Sequence, residues 1–156
     1  MKYLVTGATG HLGGMIVTEL RKLVPQADIR LGVHRIEKAT ALQAAGYDVV
    51  ALDYAAVDSM TAAMTGVDVL VYVPSLTSQV QQRIAEFENT LEAMHRANVS
   101  TIVAMSFIAD QYNNPFQMAS YYAYLPARLA GSGLNYAVVK NALYADPLVP
   151  YLPELI

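Results

Sequence analysis

Thr6-Gly7-Ala8-Thr9-Gly10-His11-Leu12-Gly13-Gly14 decides the fold of this chain. Ahead of it, Tyr3 to Val5 reads as a strand. Behind it, Leu12, Met15, Ile16, Leu20 and Leu23 fall on one helical face before Pro25 ends the run. A strand that turns through glycines into a helix suits an anion, because backbone N–H groups converge at the positive end of the helix dipole. In this spacing Gly7 permits the tight turn, Gly10 the approach of a phosphate and Gly13 the close packing of helix on sheet. Thr6 and Thr9 add hydroxyls, and His11 and Leu12 open the helix. The glycine string alone is a weak signal. Its place within a βαβ unit turns it into a prediction of dinucleotide binding.

Further along, segments rich in Val, Ile and Leu alternate with segments of helical period, the order that gives a parallel sheet with helices on both faces. Strands are expected at Ile29–Val33, Asp48–Leu52, Val69–Val73, Thr101–Met105 and Leu134–Val139. A short helix over Lys38–Ala45 is closed by Gly46, and Asp58 is placed to cap the next one, which Gly66 ends. The longest helix carries Val80, Ile84, Phe87, Leu91 and Met94 toward the sheet, with Arg83, Glu86, Glu88 and Glu92 largely opposite. Residues 106–119 have loop composition, and a helix over Ser120–Ala130 ends at Gly131-Ser132-Gly133. The expected fold is a doubly wound α/β sheet of about six strands, a Rossmann fold, over residues 1–145. Residues 146–156, with Pro147, Pro150 and Pro153 among apolar residues, form a separate extended segment.

Composition narrows the function. The chain has 156 residues and is 54% hydrophobic, yet no apolar run reaches the roughly 20 residues of a membrane-spanning helix. Met1-Lys2-Tyr3 leads directly into a strand without a signal-peptide pattern, so a cytoplasmic location is expected. A net charge of -3 with scattered Arg and Lys argues against nucleic acid. Zero cysteines excludes disulfides and thiolate chemistry, and His11, His34 and His95 lie too far apart in sequence to predict a metal site.

The nature of the dinucleotide is read from the end of the second strand. A carboxylate there would meet ribose hydroxyls; this chain has Val33-His34-Arg35. Arg35 offers a planar fork to a 2′-phosphate and Lys38 a second positive charge, which favours NADP over NAD, unless Arg35 is merely a solvated strand end. Asp53 either accepts from the adenine amino group or caps the following turn. Pro74-Ser75 either lines the adenosine side of the crevice or simply ends a strand. Ser106 either approaches a nicotinamide or starts a loop.

Together with Ser132-Gly133-Leu134-Asn135-Tyr136, the glycine turn, Val33-His34-Arg35 and Asp53-Tyr54 resemble the NmrA-like group of atypical short-chain dehydrogenases, over the whole chain. The group includes NAD(P)H:quinone oxidoreductase-like and dye-reductase-like proteins and proteins labelled nucleoside-diphosphate-sugar epimerases. The resemblance implies that Gly7 to Gly13 bind pyrophosphate, that Arg35 meets the 2′-phosphate, and that Pro74-Ser75 and Ser106 flank ribose and nicotinamide. Such proteins normally continue for a comparable stretch that builds a substrate lobe, so residues 146–156 are expected to lead toward a lobe absent from this chain, leaving an exposed apolar patch near Tyr144–Ile156 or a partner that covers it.

Typical short-chain dehydrogenases also carry Tyr-x-x-x-Lys, the tyrosine as proton donor. Here Tyr121, Tyr122 and Tyr124 are followed four residues later by Leu125, Pro126 and Arg128. Tyr121 and Tyr122 remain weak catalytic candidates, packing and pocket lining being the alternative. The expected function is an NADP-dependent oxidoreductase that passes hydride to a quinone-like acceptor, with a homodimer allowed. A non-catalytic redox sensor is the alternative, and an epimerase-like role comes third.

Overall fold

The structure is a computed structural model, and it describes residues 1–142. Six parallel strands form one sheet: β1 (Tyr3–Thr6), β2 (Ile29–Val33), β3 (Asp48–Ala51), β4 (Val69–Tyr72), β5 (Thr101–Phe107) and β6 (Asn135–Asn141). Their spatial order is β3-β2-β1-β4-β5-β6. The order reverses between β1 and β4, the switch point at which open α/β sheets bind ligands. Five helices cover the faces: α1 (His11–Leu20), α2 (Thr40–Ala44), α3 (Val57–Met64), α4 (Val80–Arg96) and α5 (Ala119–Ala130). The fold class read from the sequence is borne out. The apolar patch expected near Tyr144–Ile156 lies outside the described residues.

Two-residue alternation divides the strand side chains between two cores. Val5, Leu31, Val33 and Val71 pack with Val17 of α1 and with Ala39 on one face. Leu4, Leu70, Tyr72, Ile102 and Ala104 pack with Met60 and Met64 of α3, Phe87 and Leu91 of α4 and Tyr121 and Leu125 of α5 on the other. Both faces are covered, which is why the strand segments read as nearly continuous apolar runs.

Several local expectations are corrected. The buried stripe of α1 runs through Gly13 and Val17, with Ile16 and Leu20 packed beside it, while Met15 and Leu23 point outward. The segment 36–45 opens as a 3-10 turn, Ile36–Ala39, before α2. Asp58 does not cap α3, whose N-cap is Ala56; its carboxylate pairs with Arg96 at 3.2 Å. Strand β5 continues two residues further than expected and takes Ser106 and Phe107 into the sheet, because β6 pairs with it in register from Thr101↔Asn135 to Phe107↔Asn141. On α4, Arg83 and Glu86 are buried, not solvated. None of the helices in the described residues is long and apolar enough to cross a membrane.

Candidate functional site

The turn between β1 and α1 is tight because two backbones nearly touch. Gly7 adopts φ +64°, a conformation that L side chains rarely adopt, and its carbonyl accepts from the Gly10 N–H at 2.9 Å. A Cβ on Gly13 would stand 2.2 Å from the Gly7 oxygen and 2.7 Å from its carbonyl carbon, so only glycine lets α1 lie this close to the strand end. A Cβ on Gly10 would stand 3.2 Å from the same oxygen. Gly10 is the N-cap of α1; no side chain caps the helix there, and its first turn holds no acidic residue. The N–H groups that helix geometry leaves unpaired therefore open toward the crevice at the positive end of the dipole. Thr9, Gly10 and His11 are exposed and Leu12 is half-buried.

Across the switch point stands Val73, whose side chain would lie 3.6 Å from a Cβ on Gly7. Thr6, expected to offer a hydroxyl to phosphate, is fully buried and joins the two lips instead. Its Oγ1 accepts from the Val73 N–H at 2.8 Å and donates to the Val73 carbonyl at 3.2 Å. The Tyr54 hydroxyl donates to the same carbonyl at 2.6 Å. Beyond Val73, Pro74 and Ser75 are half-buried, and the Ser75 hydroxyl donates to the Glu86 carboxylate, so its hydrogen is already committed.

On the β2 side, Arg35 and Lys38 are exposed, and neither side chain makes a hydrogen bond or ion pair with another described residue. Asp53 lies at the end of β3, where its Oδ1 accepts from the Ala55 N–H at 2.9 Å, the turn-capping alternative. Ser106 sits inside β5, 4% exposed, with an Oγ that has no partner among the described residues. It is part of the sheet and not of a loop.

The tyrosines are built for packing. Tyr121 is fully buried, with its ring beneath the Arg83 guanidinium at 5.4 Å; burial pushes its phenol well above the usual range. Tyr122 is half-buried in an aromatic cluster, 5.6 Å from Phe107 and stacked 6.3 Å from Phe116. Tyr124 donates to Glu88 at 2.6 Å, and Arg128 donates to the same carboxylate at 3.0 Å. Burial and the Glu88 acceptor together raise the Tyr124 phenol above its ordinary value. Arg128, four residues on, pulls the other way but less strongly, so it does not activate the phenol. Among the described residues no group of three or more His, Asp or Glu side chains gathers as a metal site.

The residues fit a dinucleotide. An uncapped helix terminus suits pyrophosphate, and the glycine cradle is one that a Cβ would fill at Gly13. Two side chains that sequence reasoning placed on solvent, Arg83 and Glu86, prove to be buried beside this crevice. The helical period in fact sets Arg83, three residues after Val80 and four before Phe87, on the buried face with Glu86 at its edge; their charge is what pointed to solvent.

Known proteins share this arrangement. Residues 7–147 match the protein family described as NAD(P)H-binding. Quinone oxidoreductase 2 of Escherichia coli (strain K12) is 33% identical over 150 residues, 96% of this chain and 51% of its own. A nucleoside-diphosphate-sugar epimerase from Staphylococcus aureus superposes with a TM-score of 0.91 and 38% identity, covering 99% of this chain and 55% of that one. The triphenylmethane reductase of Citrobacter sp., complexed with NADP(H), gives a TM-score of 0.88 and 29% identity over 96% of this chain and 52% of its own. The chain spans about half the length of the curated relatives it matches. The glycine turn at a β1/β4 switch point, the match over residues 7–147 and these likenesses together show that the chain belongs to the NAD(P)H-binding, NmrA-like family.

Proposed function

We propose that this chain holds NADP(H) across the β1–α1 turn and that the whole protein uses it to reduce a quinone-like acceptor. One observation carries the reading: the Gly7–Gly13 contact, which leaves no room for a Cβ and sets an uncapped helix terminus over the switch point. In this reading Gly7, Thr9, Gly10, His11, Leu12 and Gly13 surround the pyrophosphate, chiefly through backbone N–H groups. Arg35 and Lys38, exposed at the end of β2, take the 2′-phosphate. Asp53 keeps one carboxylate oxygen for the adenine side, and Pro74 and Ser75 form the opposite rim. Ser106 is buried within β5, and we assign it no contact. The likeness to a reductase complexed with NADP(H) supports the choice of NADP.

When bound, the cofactor supplies a hydride; the chain's own residues bind and orient. Tyr121 is buried and Tyr124 is tied to Glu88, so neither offers a proton at neutral pH. A quinone suits such a site, because its reduced oxyanions can take protons from water. The likeness to quinone oxidoreductase 2 supports that acceptor class. In this reading residues 1–145 form the nucleotide-binding domain, and the segment expected over 146–156 lies outside the described residues. The unavailable tyrosines also favour a second reading, a dinucleotide-binding redox sensor without turnover. Steady consumption of NADPH by the whole protein across a panel of simple quinones supports the enzyme. Cofactor binding with no turnover supports the sensor, and failure of this chain to bind NADPH in calorimetry sinks both.

A further inference from the structure

Between β4 and α4 the chain runs from the switch point to the outer layer through residues 74–79, none of which is in a helix or strand. Leu76, at the tip, is fully exposed, so no apolar anchor there orders the segment. Hydrogen bonds must do so. They come from two charged residues on α4, Arg83 and Glu86, only 6% and 7% exposed. The Glu86 carboxylate accepts from the Ser75 hydroxyl and from Gln82 Nε2, the latter at 2.9 Å. Arg83 Nη2 donates to the Thr77 carbonyl. Thr77 closes the network: its Oγ1 donates to Gln82 Oε1 at 3.0 Å and accepts from the Gln79 N–H at 3.2 Å.

Burying charge is costly unless partners compensate it. Among the described residues neither Arg83 nor Glu86 makes an ion pair with another charged side chain, and Arg83 Nε has no hydrogen-bond partner. Each instead makes a hydrogen bond to the same short segment, Glu86 at Ser75 and Arg83 at Thr77. That segment begins at Val73, which Thr6 and Tyr54 fix beside the glycine turn. Its course relative to the turn is thus set at both ends.

We propose that Arg83 and Glu86 are positioning residues of the cofactor crevice, holding residues 74–79 as a preformed rim so that a dinucleotide binds without first having to order it. The proposal rests on the NADP(H)-binding reading above. A rim that must be ordered on binding subtracts its ordering cost from the affinity. It lies across β1 from Arg35, so its loss should weaken the whole dinucleotide more than 2′,5′-ADP, whose 2′-phosphate Arg35 holds on the far side in this reading.

Hydrogen–deuterium exchange of the cofactor-free chain, followed by calorimetry with NADPH and with 2′,5′-ADP, tests this in wild type, Glu86→Ala, Glu86→Gln and Arg83→Met. Exchange over residues 75–79 should rise about tenfold or more in Glu86→Ala and Arg83→Met while the strands stay protected. NADPH affinity should fall by about tenfold, 2′,5′-ADP affinity should change by less than about twofold, and Glu86→Gln should recover part of the loss. Unchanged exchange in a folded variant, or equal losses for both ligands, overturns the proposal. If Glu86→Ala does not fold, Arg83→Met carries the test. A wild type that binds no NADPH overturns the functional reading, while the exchange result still decides whether the rim is pinned.

Discussion

The carbonyl oxygen of Gly7 lies 2.2 Å from the point that a Cβ on Gly13 would occupy, a backbone atom against a position that the backbone alone fixes. No rotamer change can relieve that contact. Gly13→Ala must push α1 away from β1, and overpacking of this kind costs about 1–3 kcal/mol. Gly14, one residue on, has its nearest neighbour 3.8 Å from a built Cβ, and alanine there should stabilise the helix by about 0.5–1 kcal/mol. The urea midpoints of the two variants should move in opposite directions, with NADPH binding lost only in Gly13→Ala.

Arg35 ends β2 exposed and without a side-chain partner among the described residues. If it meets the 2′-phosphate, Arg35→Ala removes a charge-assisted hydrogen bond of about 1.5–3 kcal/mol. NADPH affinity should fall roughly ten- to a hundredfold, with NADH affinity barely changed. A variant that keeps the full NADPH preference in calorimetry removes Arg35 from the site.

Asp48 sits across from Arg30 in the β2–β3 register and accepts from Arg30 Nε at 2.9 Å, with Lys2 Nζ at 3.1 Å. Burial opposes ionisation, but hydrogen bonds and charge from Arg30 and Lys2 outweigh it and hold the carboxyl below its ordinary value. A depressed value contributes stability above the unfolded-state pKa of about 3.9, and that stability is lost as pH falls through the lower folded value. With 37% of its side chain exposed, the pair is worth less than about 1 kcal/mol. Asp48→Asn should therefore be slightly less stable than wild type from neutral pH down to about pH 5, with the gap closing in stronger acid. A gap that widens toward low pH would contradict this.

Tyr124 should behave as a structural group. Its raised pKa means that the stability it contributes is complete below about pH 10 and is lost as pH rises through the higher folded value. Tyr124→Phe should cost about 1 kcal/mol at neutral pH from the lost Glu88 bond and flatten the alkaline decline in stability. If the whole protein reduces quinones as proposed, its rate should change by less than about twofold. A hundredfold loss in kcat would restore a tyrosine to the chemistry.

Much of this was legible in the sequence, for identifiable reasons. Strands buried on both faces announce themselves as apolar runs, and Gly7, Gly46 and Gly66 mark turns at which the backbone adopts positive φ. What escaped depends on neighbours distant in sequence. Ser106 reads as a loop start because its pairing with Lys140 on β6 gives no local signal. Arg83 and Glu86 read as solvent-facing because they are charged, although the helical period sets Arg83 beside Phe87, and the hydrogen bonds that Ser75 and Thr77 supply give no local signal. The crevice floor follows local rules, whereas its rim is a tertiary construction.

Val73 gives the crevice a direction. Its N–H is taken by Thr6, and its carbonyl by Thr6 and Tyr54. The β4 lip therefore begins with a residue whose backbone N–H and carbonyl are both already paired, while the β1 lip opposite opens onto an uncapped helix terminus. Negative charge has only one wall to lean on. The backbone thus sets the polarity of the cleft before any side chain reads the ligand.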